Sequence, residues 1–195
     1  MTETKWLEET DIHEMLEFSN PSDRKRRLFS VACCKRILHL MTDPRSLTAV
    51  EVAERYADKK ATRKELQKAY NAANAAANAA ARAAAYAAAY AANAAANAVY
   101  AANATADTSQ NWNESFDQER QHQANLLREI VNPFKTKTKL NAEVKNLAEH
   151  VYLSQQDHQI LADYLEEHYN EPELTTHLRQ PNHLKGCWAV DLLKD

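Results

Sequence analysis

The chain has 195 residues, 45% of them hydrophobic, and a formal net charge of -3, so it can build a real core but has no bulk attraction to polyanions. It holds one Gly where average usage near 7% would place about fourteen. Strand bends and tight hairpins rely on Gly, so the composition argues against β-structure and for helices joined by Asn, Asp, Ser and Pro turns.

That single Gly excludes a phosphate-cradling glycine loop and a nucleophile elbow, and no His-Glu metalloprotease helix motif occurs. Three Cys, two of them adjacent, do not make a disulfide framework. No apolar run has transmembrane character, because Asn and Arg interrupt the Ala-rich tract. Met1 to Leu7 is polar and lacks the apolar core of a signal peptide, so a reducing cytoplasm is the expected compartment.

In chain order, residues 6–18 read as a short amphipathic helix with Ile12, Met15, Leu16 and Phe18 inward and Asp11 and Glu14 as a partial capping box. Asn20 and Pro21 then suit the N-cap and first position of a helix over 22–41. On its wheel, Phe29, Val31, Cys33, Cys34, Ile37, Leu38, Leu40 and Met41 form an apolar arc, and Arg24, Lys25, Lys35, Arg36 and His39 take the other face. Arg26 and Arg27 fall on the apolar side. They pair there with carboxylates of neighbouring helices or, alternatively, form an anion site. Cys33 and Cys34 read as small buried hydrophobes.

A third helix runs to about Lys60, capped by Ser46 or Thr48, with Val50, Ala53, Tyr56 and Ala57 inward. Residues 71–103 are twenty-two Ala and eleven others. Apart from Val99, those others (Asn71, Asn74, Asn78, Arg82, Tyr86, Tyr90, Asn93, Asn97, Tyr100 and Asn103) step by three or four residues and stack on one side of a helix. Ala loses no rotamer freedom, so a continuous helix is expected over about 63–106, a rod of roughly 60 Å. Asn weakens a helix relative to Ala, and the repeated Asn are explained either by a solvated polar face or by contact with a partner.

Residues 107–115 read as a loop anchored by Trp112, and 116–131 as a helix ended by Asn132 and Pro133. Lys135, Lys137 and Lys139 sit in a connector. Helices follow over 141–153 and 157–168, the second stopped by Glu171 and Pro172. In the tail, Gly186 is expected at positive φ, turning Cys187 and Trp188 back onto the bundle, with Asp191 or a carbonyl accepting a hydrogen bond. His177, His183 and Cys187 could supply three metal ligands, but a fourth is missing and the spacing matches no zinc pattern.

The blocks Arg24-Lys25-Arg26-Arg27-Leu28-Phe29 with Ala32-Cys33-Cys34, residues 49–58, the Ala tract, His177-Leu178-Arg179 and His183-Leu184-Lys185-Gly186-Cys187-Trp188-Ala189-Val190-Asp191 come in an order that resembles a family of uncharacterised proteins abundant in planctomycete bacteria. The resemblance spans most of the chain and implies that Arg26, Arg27, Gly186, Cys187 and Trp188 share a common framework. It implies no activity. Where that family intersperses acidic residues in the Ala tract, this chain has Asn and Tyr.

The expected fold is all-α, a multi-helix bundle around one long Ala-rich central helix, with 1–195 as a single helical domain. The expected function is a non-enzymatic interaction or scaffold module that binds a protein partner or itself through Asn78, Arg82, Tyr86, Tyr90, Asn93, Asn97 and Tyr100. No catalytic residue, metal, cofactor or membrane contact is assigned. One alternative is a nucleic-acid-associated protein using the basic residues of the 24–36 helix, with Arg24, Arg26, Arg27 and Arg36 as candidate anion contacts. The other is a metal-binding protein or enzyme centred on His177, His183 and Cys187, with Arg179 nearby.

Overall fold

The computed structural model describes residues 1–36, 38–79, 108–135 and 140–194, and of Leu40 and residues 108–116 the backbone alone. Among the described residues every regular element is helical. In order these are α1 (Glu3–Glu8), α2 (Ile12–Ser19), α3 (Asp23–Arg36), a 3-10 turn (Leu38–Leu40), α4 (Pro44–Ala57), α5 (residues 63–79), α6 (Thr108–Ile130), α7 (Ala142–Ser154), α8 (His158–His168), α9 (Pro172–Leu178) and α10 (Trp188–Lys194). Their contacts gather into two compact units, Met1–Cys33 with His122–Asp195, and Cys34–Gln121.

In the unit Cys34–Gln121, Asp43 caps α4 by accepting from the Arg45 amide, with Pro44 at the helix start. The expected caps Ser46 and Thr48 therefore lie inside the helix. Thr62 opens α5 with a reciprocal capping box: its amide donates to Glu65 Oε2 at 2.7 Å, and the Glu65 amide to Thr62 Oγ1 at 3.2 Å. The Ala-rich helix expected over 63–106 is helical across its described part, 63–79, and residues 80–107 lie outside the described residues. Within that part Ala69 and Ala76 are buried while Asn71, Asn74 and Asn78 are exposed, so this stretch of the polar stripe faces solvent. Residues 108–115, expected as a loop, are the first turns of α6. They contain no Gly or Pro, and Thr, Ser and Asn each lower helix propensity by at most about 0.7 kcal/mol, too little to stop a helix.

In the unit Met1–Cys33 with His122–Asp195, the expected helix over 6–18 is two. The chain breaks at Glu9 and Thr10, and Asp11 restarts it by accepting from the amides of His13 and Glu14. Met15 is fully buried, while Phe18 is exposed, contrary to its expected inward placement. Asn20 ends α2 in the left-handed conformation instead of capping α3, and the hydroxyl of Ser22 accepts from the Lys25 amide in its place. The core is built from α7, α8, α9 and α10, with Val144, Val151, Leu161, Leu165, Leu174, Leu178 and Leu193 fully buried. Pro172, expected to stop the preceding helix, starts α9, where its missing N–H costs nothing.

The largest departure from the sequence reading is in α3, which ends at Arg36 and not near Met41. Its buried face is Leu28, Phe29, Val31 and Ala32, and Cys33 and Cys34 are only partly buried. The apolar arc expected from the sequence left out Leu28 and Ala32 and counted Cys33 and Cys34, which put Arg26 and Arg27 inside and Arg24 and Lys25 outside. One turn before Leu28 and Phe29, Arg24 and Lys25 lie on the buried face. They meet Asp191, which is buried: Arg24 Nη1 lies 2.5 Å and Lys25 Nζ 2.6 Å from its Oδ2. Lys25 also donates to the carbonyls of Ile130 (2.9 Å) and Gly186 (2.7 Å). Burial pulls the Lys25 ammonium below its ordinary pKa, yet three oxygen acceptors surround it, the environment of a charged amine. Burial would raise Asp191, but Lys25 and Arg24 hold it below the usual carboxylate range.

Removing one partner of such a buried pair typically costs about 3–5 kcal/mol because the other charge is left uncompensated. Asp191→Asn is therefore expected to lose that much stability in urea unfolding, and Lys194→Ala much less, since Lys194 Nζ lies 3.8 Å from Oδ1. In α5, Ala76→Leu is expected to lose about 1–3 kcal/mol by overpacking. The exposed Ala77→Leu should stay within about 0.5 kcal/mol of the parent in the same melts.

Candidate metal centre

Four side chains from separate parts of the chain converge beside this ion cluster. Glu129 sits in the last turn of α6, and His177 in the last turn of α9. His183 lies in the following connection. Cys187 precedes α10 and donates its amide to the Leu184 carbonyl at 2.9 Å, closing a turn over Lys185 and Gly186. Gly186 has φ 87°, the left-handed conformation that the third position of a type II turn requires. A Cβ there would collide with Leu28 Cδ1, so both the backbone angle and the packing demand glycine.

The ligand-type atoms of Glu129, His177, His183 and Cys187 all lie within 4.8 Å of one another. His183 Nδ1 is 3.0 Å from Glu129 Oε1, His177 Nε2 is 3.4 Å from Glu129 Oε2, and His177 Nε2 is 3.2 Å from Cys187 Sγ. A four-coordinate zinc ion with N and O ligands near 2.1 Å and sulfur near 2.3 Å sets its donors roughly 3.3–3.7 Å apart, so these separations are close to the edges of such a tetrahedron. His183 Nε2 lies 3.2 Å from the Leu178 carbonyl. Donation to that carbonyl places the ring's other nitrogen, Nδ1, toward the cluster as an orienting outer-shell bond does in metal sites. The His158 ring stacks on His183 with centroids 4.2 Å apart and fixes its plane, and burial lowers the pKa of His158, favouring the neutral ring.

Electrostatically the cluster is one carboxylate among imidazoles and a thiol. Burial would raise the Glu129 pKa, but hydrogen bonds from His177 and His183 overcome it and hold Glu129 at about 2. Burial lowers and the Glu129 carboxylate raises His183, and the net direction is up. Burial, followed by the charge of Glu129, pushes the Cys187 thiol well above its ordinary value, against the pull of the Ala189 and Val190 amides.

Of the residues singled out in the sequence, His177, His183 and Cys187 are brought together, and Glu129 is the fourth ligand that sequence reading lacked. Its signal was an acid in the last turn of a helix, where the dipole disfavours negative charge. Arg179 lies elsewhere, pairing with Asp163 at 2.9 Å and with Glu166 on the surface. Among the candidate anion contacts, Arg24 is held by Asp191 and by the Tyr152 hydroxyl, Arg26 by the Pro21 carbonyl and Asn20, and Arg36 by Glu119 at 3.0 Å. Arg27 is partly buried. Asn78 is exposed on α5, and Arg82, Tyr86, Tyr90, Asn93, Asn97 and Tyr100 lie outside the described residues, as do Lys137 and Lys139. Comparison with protein-family models, curated proteins and solved structures finds no match, so the site is read from its chemistry.

The two shifts set a pH window for the metal-free protein. Glu129, lowered from 4.5 to about 2, contributes stability that is full above its unfolded value and lost as pH falls toward 2. His183, raised from 6.5, contributes stability that is full below 6.5 and lost as pH rises through its folded value. With chelator present, the melting-temperature gap between the parent and His183→Asn is expected to be widest between pH 4.5 and 6.5 and to narrow toward pH 9.

Proposed function

We propose that the unit Met1–Cys33 with His122–Asp195 is a metal-binding module that takes one zinc-class ion between Glu129, His177, His183 and Cys187. The observation that carries this reading is the convergence of four ligand atoms within 4.8 Å from residues up to fifty-eight positions apart in sequence. Two imidazoles, one thiolate and one carboxylate suit Zn2+ and its transition-metal neighbours, whereas Ca2+ and Mg2+ prefer all-oxygen sets. Binding replaces the imidazole and thiol protons with the ion, so affinity rises with pH as the metal-free contact between Glu129 and His183 weakens.

The ion would fasten the end of α6 to the end of α9 and the start of α10. At a free zinc concentration a thousand times the dissociation constant, such a site adds about 4 kcal/mol to stability. Elemental analysis of the purified full chain is expected to find one zinc per molecule, and Cys187→Ser or His183→Asn to abolish it. Cobalt substitution should give the visible bands of a tetrahedral ion and a thiolate-to-cobalt charge-transfer band that Cys187→Ser lacks. A parent chain that takes up no zinc or cobalt and melts identically with and without zinc would overturn the reading.

A further inference from the structure

The four donors are not equally enclosed. The Cys187 residue is 1% exposed and the His183 side chain 3%, whereas the His177 and Glu129 side chains are 12% and 13% exposed. His177 and Glu129 both line a cavity of about 370 Å3, and the two deeper donors do not. An ion at the centre would thus have a protein-filled back and a front that opens on this cavity. The volume falls within the roughly 300–1,000 Å3 of small-molecule sites.

The walls supply two further features. Trp6, Phe134 and Trp188 give the cavity aromatic surface, suited to an apolar body. Arg128 supplies charge. Its guanidinium donates to the carbonyls of Trp6, at 3.0 and 2.8 Å, and of Glu9, and to Asn125 Oδ1 at 3.0 Å, all neutral acceptors. A divalent ion with one thiolate and one carboxylate is neutral as a set, and Arg128, on which the Glu9 carboxylate also acts, adds a cation to this wall. Glu3 also lines the cavity, but it is exposed to solvent, where its charge is screened.

Resting on the metal-site reading, we infer that the bound ion accepts an exchangeable ligand from this cavity. That ligand is a small molecule with an anionic oxygen head, of carboxylate or hydroxamate type, and an apolar or aromatic body. The head meets the ion on the side of Glu129 and His177, near the Arg128 charge, and the body lies against the tryptophans. Glu129 is the donor best able to make room, because a carboxylate at the cavity wall can rotate off the ion while the buried imidazole and thiolate cannot.

The test uses the full chain loaded with cobalt and titrated with benzohydroxamate and with acetohydroxamate, which has the same head and no aromatic body. Benzohydroxamate is expected to shift the visible cobalt bands saturably, with the thiolate band retained, at a half-saturation about tenfold lower than acetohydroxamate. Arg128→Gln, which removes the charge, should raise that half-saturation. Unchanged cobalt bands at millimolar probe would overturn the inference while leaving the metal site standing, and so would loss of the thiolate band, which means the probe strips the ion. Equal half-saturation for the two probes would also overturn it. A chain that takes up no cobalt removes the metal site itself, and the inference with it.

Discussion

The Lys25 ammonium is the constraint on which the arrangement of the site depends. It joins two distant parts of the chain: the Ile130 carbonyl at the end of α6, and the Gly186 carbonyl and Asp191 carboxylate around the start of α10. Glu129 is the residue before Ile130, and Cys187 the residue after Gly186. A single half-buried charge therefore sets the spacing between two of the four converging ligands. Arg24 adds a second cation to Asp191, which keeps the carboxylate ionised in an apolar setting where burial alone would protonate it. Such pairs add little net stability over well-packed apolar residues, and their value lies in holding one arrangement against others.

The same logic governs the donor cluster. A carboxylate beside two imidazoles and a buried thiol is costly to desolvate unless cations or a metal ion share the space. The structure answers that cost with short contacts between Glu129 and both histidines, and with a His183 ring held by the Leu178 carbonyl on one edge and by the His158 ring on its face. A group fixed this thoroughly loses little freedom when an ion arrives, which is the condition for tight coordination. The turn at Gly186 contributes by delivering Cys187 with no side chain between the backbone and Leu28.

The helical class was legible because it rests on local chemistry. Ala content, the scarcity of Gly, and the cap at Asp11 each act within a few residues, and the structure places helices accordingly. The positive φ of Gly186 was legible for the same reason, since little else explains a lone glycine between Lys185 and Cys187. The burial of α3 was misread because a wheel does not say which apolar residues meet the core. Leaving Leu28 and Ala32 out of the apolar arc and counting the partly buried Cys33 and Cys34 exchanged Arg24 and Lys25 for Arg26 and Arg27 on the inner face.

By itself the sequence determined the all-helical class of the described residues and the glycine turn ahead of Cys187, and it nominated His177, His183 and Cys187 as donors. These follow from propensities and spacings that operate over one or two turns of chain. Only the tertiary structure decided that Glu129 is the fourth donor, that Lys25 and Arg24 share a buried carboxylate at Asp191, and that a cavity opens on one side of the donors. Those facts depend on how α6 packs against α9 and α10 across some fifty residues of intervening chain, and no periodicity in the sequence encodes that distance.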